Sequence, residues 1–177
     1  VLDMIRGNNW ERPIYFAVTT GPDSYMGLQS FFRLEGLAYR LVPIRYEQND
    51  NPNAYGGVAT KTMYSNVMDK WSWGGMDNVE DGIYMDENNR RMVTNFRLQL
   101  SVLADELMKE NDPDRALDIL EQVLTKMPEE NVPMSRVLMS IQGSLLELAS
   151  TTGVGGTQIY ELSDDRRALA KELGIDL

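Results

Sequence analysis

Residues 97–130 constrain the fold most, because their apolar positions repeat at helical spacing on both sides of a sharp turn. Leu100, Leu103, Ala104 and Leu107 form one stripe, and Phe96 extends it a turn backward. Asp86 is a candidate N-cap for this helix, and Asn111-Asp112 stop it. Asp112 then caps a second helix that opens on Pro113, where a missing N–H costs nothing. Ala116, Leu120, Val123 and Met127 make the second stripe, and Pro128 ends it. Two amphipathic helices joined by so short a turn must lie antiparallel and bury their stripes against each other.

The order Leu100, Leu103-Ala104, Leu107, turn, Ala116, Leu120, Val123, Pro128 resembles one tetratricopeptide repeat (TPR), with Ala104 in place of Gly, Leu100 of Trp and Val123 of Ala. A third helix is predicted from Pro133, with Met134, Leu138, Ile141, Leu145 and Leu148 on one face. After a Gly-rich connection at 151–157, a fourth is predicted over Ser163–Leu173, stopped by Gly174. These two would form a degenerate second repeat. Two hairpins are fewer than a free-standing solenoid needs, so the N-terminal half is expected to cover one of their faces.

That half reads as a small α+β part over residues 1–85, leaving 86–177 as the helical part. Ile14–Val18 and Leu37–Ile44 have the β-branched and aromatic content of strands, near 14–19 and 37–43. Ser24–Leu34 reads as a short helix and Thr60–Trp71 as another, with polar loops over Glu47–Gly57 and Ser72–Gly82. Two strands cannot stand alone, so they must pack on helices. The chain opens on Val1 with no initiator Met or charged leader, which predicts a piece of a longer protein.

Composition removes whole classes of chemistry. With no Cys and no His, thiol nucleophiles, disulfides, Ser-His-Asp triads and most zinc, copper or haem sites are excluded. No catalytic residue is identifiable, and no cofactor is expected. The net charge is −10, unevenly placed: residues 1–95 carry 9 basic and 12 acidic side chains, residues 96–177 carry 8 and 15. Such a surface repels a phosphate backbone, so nucleic acid is not an expected partner. No apolar run approaches the roughly 18 residues of a spanning helix, so direct membrane insertion is not expected.

The acids Asp77, Glu80, Asp81, Asp86 and Glu87 invite a calcium reading, but Val79 stands where an EF-hand needs its second oxygen ligand and no Glu closes the ladder, so no metal is assigned. Gly153–Thr157 lacks the Lys-Ser/Thr of a phosphate loop and follows no strand. The candidate binding residues are Arg12, Glu35 and Arg40, just before, between and within the two strands. Their guanidinium forks suit a carboxylate or phosphate, or simply pair with Glu35. Trp71 and Trp73 are candidates for an aromatic platform against a sugar, or for anchors of a small core.

Three segments carry a wider resemblance: Asn9-Trp10-Glu11-Arg12-Pro13-Ile14-Tyr15-Phe16-Ala17, Glu35-Gly36-Leu37-Ala38-Tyr39-Arg40-Leu41-Val42-Pro43-Ile44, and Met85-Asp86-Glu87-Asn88-Asn89-Arg90-Arg91-Met92. Together they resemble the C-terminal soluble region of a Bacteroidetes-type family of multi-pass membrane proteins of unknown function, whose membrane part is similar to GT-C protein O-mannosyltransferases. The resemblance implies a non-catalytic accessory or interaction domain on the periplasmic side of the inner membrane, held there by its parent. It implies as partner the protein's own transmembrane portion or another protein. The alternative it leaves open is a glycan- or acceptor-binding module. The catalytic acid of such enzymes lies on a loop between early transmembrane helices, so none is carried onto these residues.

Overall fold

The computed structural model describes residues 2–132 except 48, 50, 52, 53 and 81. The third and fourth helices predicted from Pro133 onward, and the connection between them, lie outside the described residues. The chain is mixed α+β, with a small four-stranded sheet and helices in its N-terminal part and a helical region after it. It divides into two compact units, Val1–Ser72 and Trp73–Leu177.

The first unit opens with a short helix, α1 (Leu2–Asn8). The sheet follows: β1 (Tyr15–Ala17), β2 (Phe32–Leu34), β3 (Ala38–Leu41) and β4 (Gly57–Val58), in spatial order β1-β3-β2-β4. β3 pairs antiparallel with both β1 and β2, and β2 pairs parallel with β4. A helix α2 (Thr60–Ser65) runs on as a π-helical turn over Asn66–Lys70.

The predicted strands near 14–19 and 37–43 are β1 and β3. The helix expected over Ser24–Leu34 does not form. A 3-10 turn over Pro22–Tyr25 ends where Met26 and Gly27 take φ of 53° and 75°. No right-handed helix passes through two left-handed residues. After a second turn at Gln29–Phe31 the chain enters β2, where Phe32 and Leu34 are fully buried.

Alternation along the strands gives the sheet two different faces. Phe16, Phe32, Leu34, Tyr39 and Leu41 share one, and Tyr25 and Tyr55 pack against it. Phe32 stacks on Tyr39 at 5.4 Å and meets Tyr25 edge-on at 5.0 Å. Such pairs add about 0.5–1.5 kcal/mol each beyond their buried area. Burial pushes the Tyr25 and Tyr39 phenols up from their ordinary values, so they act here as neutral core residues.

The second unit is built on α3 (Glu87–Lys109) and α4 (Pro113–Lys126), which pack against each other. The Asp86 side chain caps α3 by accepting from Asn89 N at 2.8 Å. Asn111 takes φ 60° just past the helix. Its N–H donates to Met108 O and that of Asp112 to Leu107 O, the paired bonds of a Schellman turn. Asp112 at once caps α4, accepting from Arg115 N at 3.3 Å, with Pro113 in the first position. The expected stripes are buried: Leu100, Leu103, Ala104 and Leu107 on α3, and Ala116, Leu120, Val123 and Met127 along α4 and its C-cap.

Two polar residues secure the far end of this hairpin. Arg97, fully buried on α3, donates from Nη2 to Met127 O at 2.8 Å and Val132 O at 3.0 Å. Burial draws its pKa down to about 10, with Glu129 opposing, so it stays cationic beside the carbonyl end of α4. Asn131 accepts from Ile83 N and donates to Met76 O and Asn78 O. With the Lys126–Asp77 ion pair at 2.7 Å, it fastens the loop before α3.

Candidate functional site

The second face of the sheet carries a polar row. The register sets Tyr15 opposite Arg40 and Arg40 opposite Arg33, so the three lie side by side across β1, β3 and β2. Glu35, two residues beyond Arg33, falls on the same face. Tyr15 Oη donates to Glu35 Oε2 at 2.8 Å. Arg33 donates to Oε1 from Nε at 3.0 Å and also from Nη2. Arg40 Nη1 approaches the same oxygen at 3.6 Å.

Glu35 is the buried centre of the row, its side chain 10% exposed, while those of Arg33 and Arg40 keep 31% and 39%. Burial pushes the Glu35 carboxyl up. The hydrogen bonds from Arg33 and Tyr15 and the two guanidinium charges outweigh this and hold it below its ordinary range. The bond to Glu35 pushes the Arg33 guanidinium up against its own partial burial. The Tyr15 phenol is raised by burial first and then by its bond to the carboxylate. Next in the row stands Gly57, opposite Arg33, with the Tyr46 ring occupying the space a side chain there would need. Two cations against one carboxylate leave a net positive patch on an acidic chain, with guanidinium edges open to a carboxylate, a phosphate or backbone carbonyls.

Of the five candidate residues, Glu35 and Arg40 are brought together. Arg12 is exposed, and the guanidinium groups paired with Glu35 are those of Arg33 and Arg40. The half-buried Trp71 lies at the β2–β3 turn, its Cζ2 3.4 Å from the position of a side chain on Gly36. Just upstream, Asn66 Nδ2 donates to Glu35 O at 3.5 Å. Trp73 belongs to the second unit and is also half-buried. Both tryptophans are engaged in further contacts.

Tyr15, Arg33 and Tyr46 are members that the sequence reading missed. The signal was available in the alternation Phe32, Leu34 against Arg33, Glu35, had 32–34 been read as a strand. Among the described residues no group of three or more acids could hold a metal ion. Asp77 pairs with Lys126, Asp86 caps α3 and Glu87 pairs with Arg91. An open concavity on the first turns of α3 is lined by Glu87, Arg90, Arg91, Thr94 and Asn95, side chains of a single helix face. Among the described residues no helix is long and apolar enough to cross a membrane.

A family model described as TMEM260-associated domain 2 matches residues 1–62. The match spans α1, all four strands and the start of α2, including every member of the polar row, and links the chain to TMEM260-like proteins. No curated protein matches the chain, and no solved structure does.

Proposed function

We propose that this chain is a non-catalytic accessory domain of a TMEM260-like membrane protein, and that the polar row of its sheet is the docking face toward the parent's membrane portion. The observation that carries this is the coincidence between the matched residues 1–62 and the unit that holds the row. A parent of this kind has membrane chemistry like that of GT-C O-mannosyltransferases, and the domain stands on the periplasmic side. The α3–α4 hairpin, which resembles a TPR in its spacing, serves as the interaction scaffold. The chain itself offers no His or Cys nucleophile, and its central carboxylate is held ionised by Arg33 and Tyr15, which suits a fixed counter-ion better than a general acid.

A second reading, in which the row binds a glycan or a protein acceptor, draws on the third or so of each arginine side chain left open to solvent. One experiment separates the two. Tyr15 is replaced by a photo-crosslinking phenylalanine in the full-length protein in its own membrane, and the adducts are mapped by mass spectrometry. Adducts with the protein's own membrane segments are expected. Adducts confined to a separate glycoprotein would favour the second reading, and none at all would remove the row from either role.

A further inference from the structure

The loop between α1 and β1 holds an exposed tryptophan in a strained conformation. Asn9 and Trp10 take φ of 45° and 64°, the left-handed region that a bulky side chain rarely enters. The strain is locked in from both sides. Asn8 Nδ2 donates to Arg12 O at 2.6 Å, and Arg12 N donates back to Asn8 Oδ1 at 3.2 Å. Glu11 N donates to Asn8 O at 2.9 Å and Asn9 N to Ile5 O at 3.2 Å. The indole held by this clamp is 46% exposed. It takes no part in the aromatic cluster of the sheet, whose rings are Phe16, Tyr25, Phe32, Tyr39 and Tyr55. About half of the Trp10 surface is thus open to solvent in a sparsely populated backbone conformation, an outlier of the kind that gathers at ligand sites.

We infer that the Asn9–Arg12 loop is a saccharide-binding tip, in which the Trp10 indole stacks on the C–H face of a neutral pyranose. Around that ring the same loop supplies the hydrogen-bonding groups that hydroxyls need. Asn9 both donates and accepts, Glu11 accepts, and Arg12 donates through a planar fork. All three side chains are exposed. A lipid surface fits worse, because Glu11 flanks the indole and the chain carries −10 overall. A protein partner held by this loop alone fits worse too, since a stable interface needs far more contiguous surface than one ring offers. The tip lies on different residues from the docking row, so either assignment can fail while the other stands.

The test uses the full chain labelled with 5-fluorotryptophan, whose three fluorine resonances are assigned by single Trp→Phe substitutions. Mannotriose, cellotriose and chitotriose are titrated in turn, and zwitterionic phosphatidylcholine vesicles separately. A saturable shift of the Trp10 line with at least one trisaccharide is expected, with the Trp71 and Trp73 lines still. Trp10→Ala should weaken that affinity by about tenfold or more. Asn8→Ala, which opens the clamp and leaves the indole in place, should weaken it to a lesser degree. The far-ultraviolet circular dichroism of Trp10→Ala should match that of the unsubstituted chain, which separates loss of the site from loss of the fold. A Trp10 line unmoved by all three sugars, or moved only by vesicles, overturns the inference. So does a response confined to Trp71 or Trp73.

Discussion

Replacing Glu35 by Gln removes the charge at the centre of the polar row and almost none of its volume. Arg33 and Arg40 face each other directly across β2 and β3, and like charges in such a pair cost about 0.2–1 kcal/mol. Glu35 offsets this repulsion, because one of its oxygens meets both guanidinium groups. A charge-assisted hydrogen bond contributes about 1.5–3 kcal/mol when shielded. With the arginines about a third exposed, solvent screening reduces each to roughly 1 kcal/mol. Gln keeps a single acceptor, which can serve Arg33, while its NH2 group can only donate toward the Tyr15 hydroxyl; with the charge also lost, Glu35→Gln should cost about 2 kcal/mol, or roughly 10 °C in midpoint for a unit of this size. Melting followed by near-ultraviolet circular dichroism reads the aromatic cluster on the opposite face of the same strands.

The sign of the pH dependence follows from the carboxyl. Its folded pKa lies below the ordinary value, so its contribution is present above the ordinary carboxylate range and is lost as pH falls through the folded value. The gap between wild type and Glu35→Gln should therefore close in acid. Adding Arg40→Gln to the variant should restore about 0.5 kcal/mol, because the facing cations are then reduced to one. Equal midpoints at neutral pH would refute the reasoning. So would a gap of constant size down to strongly acidic conditions, since the carboxylate would then be acting through shape alone.

Further perturbations test the packing of each unit by itself. Gly56 and Gly27 share a left-handed backbone, with φ of 64° and 75°, but a Cβ at Gly56 would overlap the Phe32 carbonyl while one at Gly27 meets nothing. Gly27→Ala should cost about 1 kcal/mol and Gly56→Ala at least about 3 kcal/mol by detaching β4, both read by urea denaturation. Asn131→Ala removes three hydrogen bonds from a buried position, which should cost about 2–3 kcal/mol and sharply speed amide exchange at Ile83; unchanged exchange there would show that the loop holds itself.

How much was legible in the sequence depends on how local each determinant is. The α3–α4 hairpin is written in caps, a proline and two stripes, all within a few residues of what they control, and those parts stand where the spacing put them. The sequence hides β2 because Met26, a residue with no turn signature, takes the left-handed conformation that Gly27 continues. Losing β2 also lost the row. Arg33 and Glu35 share a face only if the segment alternates with period two, and Tyr15 reaches Glu35 only through the register of a third strand. Arg12 was chosen for its nearness in sequence to β1, but its backbone is tied to Asn8. Nothing local in the sequence marks Arg97 as buried. Its burial rests on carbonyls 30 and 35 residues away, which no local pattern encodes.

The described parts of the two units use their polar side chains differently. Among the described residues of the second unit, Arg97 and Asn131 are turned inward onto carbonyls and an amide of the same unit, while Lys126–Asp77 and Arg91–Glu87 are ion pairs at the surface. In the first unit the paired arginines keep about a third of their side chains open, and Trp10 is half exposed in a left-handed backbone conformation. Residues 1–62, where the resemblance to TMEM260-associated domain 2 lies, contain both features. On the proposed reading the helical hairpin, the plainest element in the sequence, is scaffold, and substitutions on its exposed surface should leave both crosslinking at Tyr15 and sugar titration at Trp10 unchanged.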